Sequence, residues 1–305
     1  MQDARSPIQG AELWVPKNDQ LVLSSGAYGP HTEFARVSAR TRFRLGEGLP
    51  GAVWATEKAL VWRDLSSHFV RAEYASAAGI DAAVGIPWFA GRELAGVITL
   101  LFTVTTEVAA CVELWNHDES VHVLRHGGGL YAHAEEFARV SPLVQFPYAA
   151  GLPGMTWSGG IPLVVDDVRT SSEFVRSELA ARAGLKRAIG VPFYRERKVV
   201  QVVTFLGAET RSFVGAFELF VQAEQGLVSK LRFEEWEVDP EAPAAPASPR
   251  AREILAREAR YSRLPIIAPG PPVMPQGSDA PRSSILVTLP IHDGVRARAV
   301  ACFEF

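Results

Sequence analysis

One block of sequence occurs twice in this 305-residue chain and a third time in part. EFARVS at Glu33–Ser38 returns at Glu136–Ser141, 103 residues on, and GLPG at Gly48–Gly51 returns at Gly151–Gly154 with the same offset. Trp54 and Trp157 stand in register behind the two GLPG blocks. Further on the offset becomes 105, where FVR at Phe69–Arg71 meets Phe174–Arg176 and GIP at 85–87 meets GVP at 190–192. Near the start of each copy, ELW at Glu12–Trp14 matches Glu113–Trp115. A duplicated block of about 100 residues restricts the fold to one that can be built as a unit and then repeated.

A shortened third copy follows. Pro87, Pro192 and Pro290 each stand 12 residues before Thr99, Thr204 and Cys302, inside paired apolar runs joined by a short polar turn, the pattern of a hairpin. Asp293-Gly294 is the clearest of those turns. Glu234–Trp236 is read as the third copy's counterpart of the first strand, and the middle of that copy is missing.

Each full copy reads as two strands, a short helix over EFARVS, a Gly-rich bend at GLPG, a short strand, a helix from Phe69 or Phe174 to Gly79 or Gly184, and a closing hairpin. Thr170 and Glu173 have capping-box spacing at the start of the second such helix. Strands outnumber helices and hairpin with their neighbours, so the predicted class is α+β with a mostly antiparallel sheet in each unit and short flanking helices. The apolar residues of Phe213–Leu231 fall near helical spacing and predict an amphipathic helix. Proline at every third position from Pro240 to Pro249 predicts a polyproline spacer, and Pro265 to Pro281 an irregular loop. The predicted divisions are 1–103, 104–231 with the amphipathic helix at its end, and 232–305 with the spacer and the truncated hairpin unit.

Composition narrows the function classes. A net charge of −3 gives no electrostatic reason to expect nucleic acid or anionic lipid as partner. Two cysteines, Cys111 and Cys302, exclude a disulfide framework and a thiolate zinc site. No run reaches the length of a membrane span, and the polar start MQDARSPIQG lacks a signal-peptide core, which predicts a cytoplasmic protein. No nucleophile triad, zinc-binding helix or carboxylate pair has catalytic spacing, so a non-catalytic chain is expected.

The run FRLGEGLPGAVWATEKALVWRDL with the FVRAE helix and GIPWFAGRELAGVITLLF hairpin resembles the GAF domain, a small-ligand-binding and regulatory module of signalling proteins, and the second copy resembles it nearly as well. Together the two cover about residues 10–206. The resemblance implies a central antiparallel sheet, a pocket roofed by the segment between the bend and the hairpin, and a sensor that binds a small molecule and relays to a partner protein or homodimer. Phe213–Leu231 is the one helix available for a dimer of the usual GAF kind, and the third copy, without its roof, is expected to bind nothing. A GAF-derived interaction scaffold without ligand is the alternative.

The resemblance names no cofactor. Neither cysteine is placed for bilin attachment or for the redox chemistry of methionine-sulfoxide-reducing members, and His31, His68, His126 and His133 lie in loops or helix starts rather than where an axial haem ligand would stand. The candidate ligand-binding residues are Phe43, Trp54, Trp62, Phe69, Arg71 and Trp88 in the first unit and Trp157, Phe174, Arg176 and Phe193 in the second, with Phe146 and Val165 matching Phe43 and Trp62. The aromatic set could stack on a planar ligand or form plain core. Asp64 and Asp167, Arg71 and Arg176, and Glu73 and Glu178 form the shared polar set. Arg71 could bridge to Asp64 and lock helix to strand, or clamp an anionic ligand with its planar fork.

Overall fold

The computed structural model of the chain describes residues 7–65, 69–104, 109–208, 214–234, 249–273, 282–293 and 297–305. The first copy folds as β1 (Ile8–Lys17), β2 (Gln20–Ala27), α1 (Thr32–Arg40), β3 (Arg42–Phe43), α2 (Gly48–Thr56), β4 (Leu60–Trp62), α3 (Ala72–Ala77), β5 (Ala82–Ala90) and β6 (Glu93–Phe102). Its six-stranded sheet has the order β3-β2-β1-β6-β5-β4, and the pairings are antiparallel.

The second copy repeats this strand for strand and α-helix for α-helix, with one added 3-10 turn over Ser141–Leu143. It runs β7 (Ala110–Asp118), β8 (Val123–Ala132), α4 (Glu135–Val140), β9 (Gln145–Pro147), α5 (Gly151–Gly159), β10 (Leu163–Val165), α6 (Ser177–Arg182), β11 (Leu185–Arg195) and β12 (Lys198–Ala208). The strand order is again the same, β9-β8-β7-β12-β11-β10. Register agrees to the residue: Glu12 pairs with Thr99 as Glu113 pairs with Thr204, and Leu60 with Gly85 as Leu163 with Gly190. The α+β class and the antiparallel sheets with short helices are therefore as the sequence predicts.

GLPG opens a helix in both copies, where a bend was expected, because its two glycines answer two steric demands. Gly48 and Gly151 have φ of +58° and +61°, and a Cβ on Gly51 or Gly154 would lie 2.2 Å from the backbone oxygen of Arg44 or Pro147. The first glycine turns the chain and the second lets the new helix close against the strand behind it. Gly79 and Gly184, at φ of +69° and +71°, end the later helices as expected. Thr170 does not cap α6, which begins at Ser177 behind Arg176; residues 170–173 form a separate turn in which the Glu173 N–H donates to Ser171 Oγ.

The largest correction falls on Phe213–Leu231, predicted as a helix. Residues 216–234 form a hairpin, β13 (Ala216–Ala223) and β14 (Gly226–Glu234). The first five residues of β13 are buried on both faces, so its apolar residues do not alternate and the helical spacing was coincidence. α7 (Pro249–Ser262), β15 (Ile266–Val273), β16 (Arg282–His292) and β17 (Ala297–Glu304) complete a five-stranded sheet of order β14-β13-β17-β16-β15. Pro249 thus stands at the start of a helix, and Pro240 to Pro246 lie outside the described residues. Of the predicted loop, Ile266–Val273 form an edge strand, where prolines lose no ladder bond on their open side, and residues 274–281 lie outside the described residues. Gly294 lies outside the described residues.

The hairpin also moves the third copy's first strand. Glu218 pairs with Cys302 in the register of Glu12 with Thr99, so β13, and not Glu234–Trp236, is the counterpart of β1. Ile266 pairs with Thr288 as Leu60 pairs with Gly85, which makes β15 the counterpart of β4. Among the described residues, one helix, α7, stands where α1, β3 and α2 stand in the first copy. Residues 214–231 accordingly belong to the third sheet rather than the second unit.

The chain divides into two compact units, Met1–Thr103 with Val214–Phe305, and Val104–Phe213. Within the first unit β15 and β16 lie against β1 and β2, and Trp88 Nε1 donates to Arg263 O at 3.1 Å.

Candidate functional site

Strand β1 is apolar from Ile8 to Val15 except at Gln9 and Glu12, and the two-residue alternation puts Glu12 and Trp14 on the face that the helices cover. An ionised carboxylate in such a place needs a counter-charge and hydrogen bonds. Arg71, the residue before α3, supplies both: Nη2 donates to Glu12 Oε2 at 2.9 Å and Nη1 donates to Oε1 and to Ser38 Oγ. Tyr28 OH donates to Oε1 at 3.0 Å and Trp14 Nε1 to Oε2 at 2.9 Å. Ser38 is held in place by donating back to Phe34 O within α1. Arg71 is 2% exposed and Glu12 fully buried.

Four rings surround the guanidinium. Arg71 Cζ lies 4.6 Å from the centroid of Phe34, 4.9 Å from Phe69, 5.3 Å from Trp14 and 5.8 Å from Phe43. Phe43, carried by the short edge strand β3, meets Trp14 edge-on at 4.7 Å. Three anchors of the repeated block, ELW, EFARVS and FVR, thus converge on one buried ion pair.

The second unit builds the same object. Arg176 Nη1 and Nη2 donate to Glu113 Oε1 and Oε2 at 2.6 and 2.7 Å, Ser141 donates to Glu113 at 2.6 Å, and Tyr131 donates at 3.2 Å. Phe137, Trp115, Phe146 and Phe174 lie 4.1–5.7 Å from the guanidinium carbon. Burial by itself would raise the Glu113 carboxyl, but Arg176 beside it, with hydrogen bonds from Arg176 and Ser141, holds it below the ordinary range.

The third sheet keeps the carboxylate and takes its arginine from elsewhere. Arg252, on α7, points at Glu218 (3.6 Å), Glu234 (2.7 Å) and Glu304 (3.4 Å). Glu234 also accepts from Arg232 at 2.6 Å and Glu304 from Ser284 at 2.8 Å. With carboxylates in excess of guanidinium, burial keeps the Glu304 carboxyl above its ordinary range, and Glu234 adds to the effect.

The candidate residues sort into four groups. Phe43, Phe69 and Arg71, like Phe146, Phe174 and Arg176, converge around the ion pairs. Trp54 and Trp62 are half-buried at the margin of the first core, and Val165 has the same place in the second. Trp157 is buried and meets His117, His122 and Tyr148 in tilted or edge-on contacts at centroid distances of 4.5–5.0 Å. Trp88 and Phe193 leave the site. A Cβ on Gly85 or Gly190 would meet α2 or α5, so residues three further along these strands point to the opposite face.

The predicted Arg71–Asp64 bridge is corrected as well. Arg71 pairs with Glu12, and Asp167 pairs with Arg169 at 2.7 Å, which lowers its carboxyl to about 2. Glu73 and Glu178 are exposed in the first turns of their helices. Sequence reasoning missed the acceptors Glu12, Glu113 and Glu218. The available signal was a lone glutamate inside an apolar strand, present in both ELW copies and again in FELF. Both cysteines are buried, and burial raises both thiols, Cys302 to about 12.

The first two copies share one strand order and one placement of helices, and the third sheet is a shortened version of them. No family model matches the chain, and no curated protein matches it. Among solved structures it is similar to the A. aeolicus nlh2 GAF domain in an inactive state (23% identity, 31% of this chain and 57% of that one, TM-score 0.26). It is also similar to the GAF domain of an Acinetobacter phosphoenolpyruvate-protein phosphotransferase (17%, 32% and 55%, 0.24). A third is the free methionine-R-sulfoxide reductase of Neisseria meningitidis in complex with its substrate (18%, 32% and 53%, 0.25). The chain covers 53–62% of the first such structures. Likenesses at these scores say nothing of what the chain binds or catalyses.

Proposed function

We propose that this chain is a non-catalytic scaffold of GAF-like sheets, regulatory in role, whose space beneath the helices is filled by its own side chains. The observation that carries this reading is the buried guanidinium of Arg71 on Glu12, with Arg176 on Glu113 in the second unit, each surrounded by four aromatic rings. A ligand beneath the helices would have to displace a paired, hydrogen-bonded charge, which costs several kcal/mol. Thiol chemistry of the reductase kind needs an ionised, accessible sulfur. With burial raising both thiols, Cys302 to about 12, the two cysteines are thiols at neutral pH.

A sensor that takes a small molecule at the rim is the second reading. It is favoured by the half-buried Trp54 and Trp62, and by the ring cluster in which the buried Trp157 meets His117 and the exposed His122 and Tyr148. Thermal-shift measurements of the whole chain against cyclic nucleotides, haem, flavin and amino or keto acids separate the two. A ligand at 100 times its Kd adds about 2.7 kcal/mol to stability. The scaffold reading expects no saturable shift with any of them, and one such shift that Trp54→Ala or Trp157→Ala removes would establish the sensor instead.

A further inference from the structure

A carboxylate at the floor of a box of four aromatic rings, with a serine hydroxyl at its side, is a receptor for a planar organic cation. In the first two units that receptor is occupied in cis. We propose that each of these units contains an alkylguanidinium-binding cage whose resident ligand is the chain's own arginine, and that the cage takes a free alkylguanidinium when the tethered one is removed.

The cage is assembled without help from the arginine. Glu12 is held by Tyr28 and Trp14, Ser38 by its bond within α1, and Phe43 by its edge contact with Trp14. Phe34 and Phe69 stack on each other at 6.4 Å, as Phe137 and Phe174 do at 6.4 Å in the second unit. Recognition is confined to the end of the side chain. Both terminal nitrogens of Arg71 and of Arg176 are bound, while the Nε of each has no hydrogen-bond partner among the described residues. The third sheet shows that the source of the guanidinium is interchangeable. There the buried glutamate at the same register is met by Arg252 from α7, a helix that precedes β15, whereas Arg71 follows β4. What the fold retains is a guanidinium over a buried strand glutamate, not a particular residue that delivers it. The inference rests on this geometry and is independent of the scaffold reading, since a wild-type chain that ignores every metabolite is compatible with either outcome below.

Arg71→Ala removes the atoms of ethylguanidinium, which makes that ion the probe. Arg71→Ala in the full chain should melt several degrees below wild type and recover much of the loss, saturably, in millimolar ethylguanidinium. Ethylurea, which is planar but neutral, and ethylammonium, which is charged but not forked, should recover little. Wild type should not respond, because the tethered group competes at high effective concentration. Glu12→Gln with Arg71→Ala should not respond either. If Arg71→Ala does not fold, the same titration of Arg176→Ala, and the refolding yield of either variant in ethylguanidinium against ethylurea, decide the matter in its place. Equal effects of ethylguanidinium and ethylurea, or a response that survives Glu12→Gln, would overturn the proposal.

Discussion

Replacing Arg252 by leucine strands a carboxylate, and the structure says which one. Glu234 keeps Arg232 at 2.6 Å and is partly open to water, and Glu304 keeps Ser284 at 2.8 Å and already holds its proton more tightly than an ordinary carboxyl. Glu218 has neither escape. It is 3% exposed, its Oε2 has no hydrogen-bond partner, and its one counter-charge among the described residues is Arg252 at 3.6 Å. Breaking a buried pair by removing one partner costs about 3–5 kcal/mol. For a unit of this size each kcal/mol moves Tm by about 2–4 °C, so a fall of about 6–20 °C is expected. Urea unfolding gives the free energy, and hydrogen exchange in β13 and β17 shows whether the loss falls on the third sheet. The second half of the test is Arg252→Leu with Glu218→Leu. Replacing both members of a buried pair by apolar residues is often neutral or stabilising, so the double variant should regain most of the stability lost by the single one. A single variant that costs less than about 1 kcal/mol, the range of exposed pairs, would refute this account of the third sheet. So would a double variant no more stable than the single one.

Further tests follow from backbone fit and from protonation. Gly154→Ala places a methyl carbon 2.2 Å from Pro147 O and should cost about 2–3 kcal/mol in urea unfolding. Gly159→Ala, in the last turn of the same helix with nothing within 4 Å, should stabilise by about 0.5–1 kcal/mol. Because burial raises the Glu304 carboxyl in the folded state, its contribution is present below the unfolded value and lost as pH rises through the folded one. Glu304→Gln, with Arg252, Glu218 and Glu234 still around it, should therefore flatten the decline in stability as pH rises past the ordinary carboxyl range. Glu113 runs the other way: its lowered carboxyl contributes above the unfolded value and loses that contribution as pH falls through the folded one, so the second unit should weaken in acid. Cys111 and Cys302 should react with a thiol reagent only at the rate of unfolding, and a fast phase in native buffer would contradict their burial.

How much of this was legible in the sequence depends on whether the information was local or came from packing. The duplication was legible because neighbouring residues carry it, and the two sheets agree in register down to Glu12–Thr99 and Glu113–Thr204. The GLPG glycines were visible as a motif, but the reason for the second one lies in three-dimensional closeness, to the backbone oxygen of Arg44 for Gly51 and of Pro147 for Gly154. Phe213–Leu231 misled because a strand buried on both faces has no alternation to betray it, and 3.6-residue spacing can be found in any apolar run of that length.

The site is the more instructive case. An arginine in FVR and a glutamate in ELW stand 59 residues apart in the first copy and 63 in the second, and each has a nearer partner of opposite charge in the sequence. Nearness pointed to Asp64, a strand-end residue beside water. Burial pointed to Glu12, which must have a cation because nothing else on that strand can compensate it. The rule that follows is physical: in an apolar strand the lone carboxylate, not the closest one, claims the arginine. Applied to the third copy, the rule finds Glu218 in FELF at once, and it requires a buried guanidinium there even though FVR has no counterpart in that copy. Arg252, one helical turn into α7, is the residue that meets the requirement.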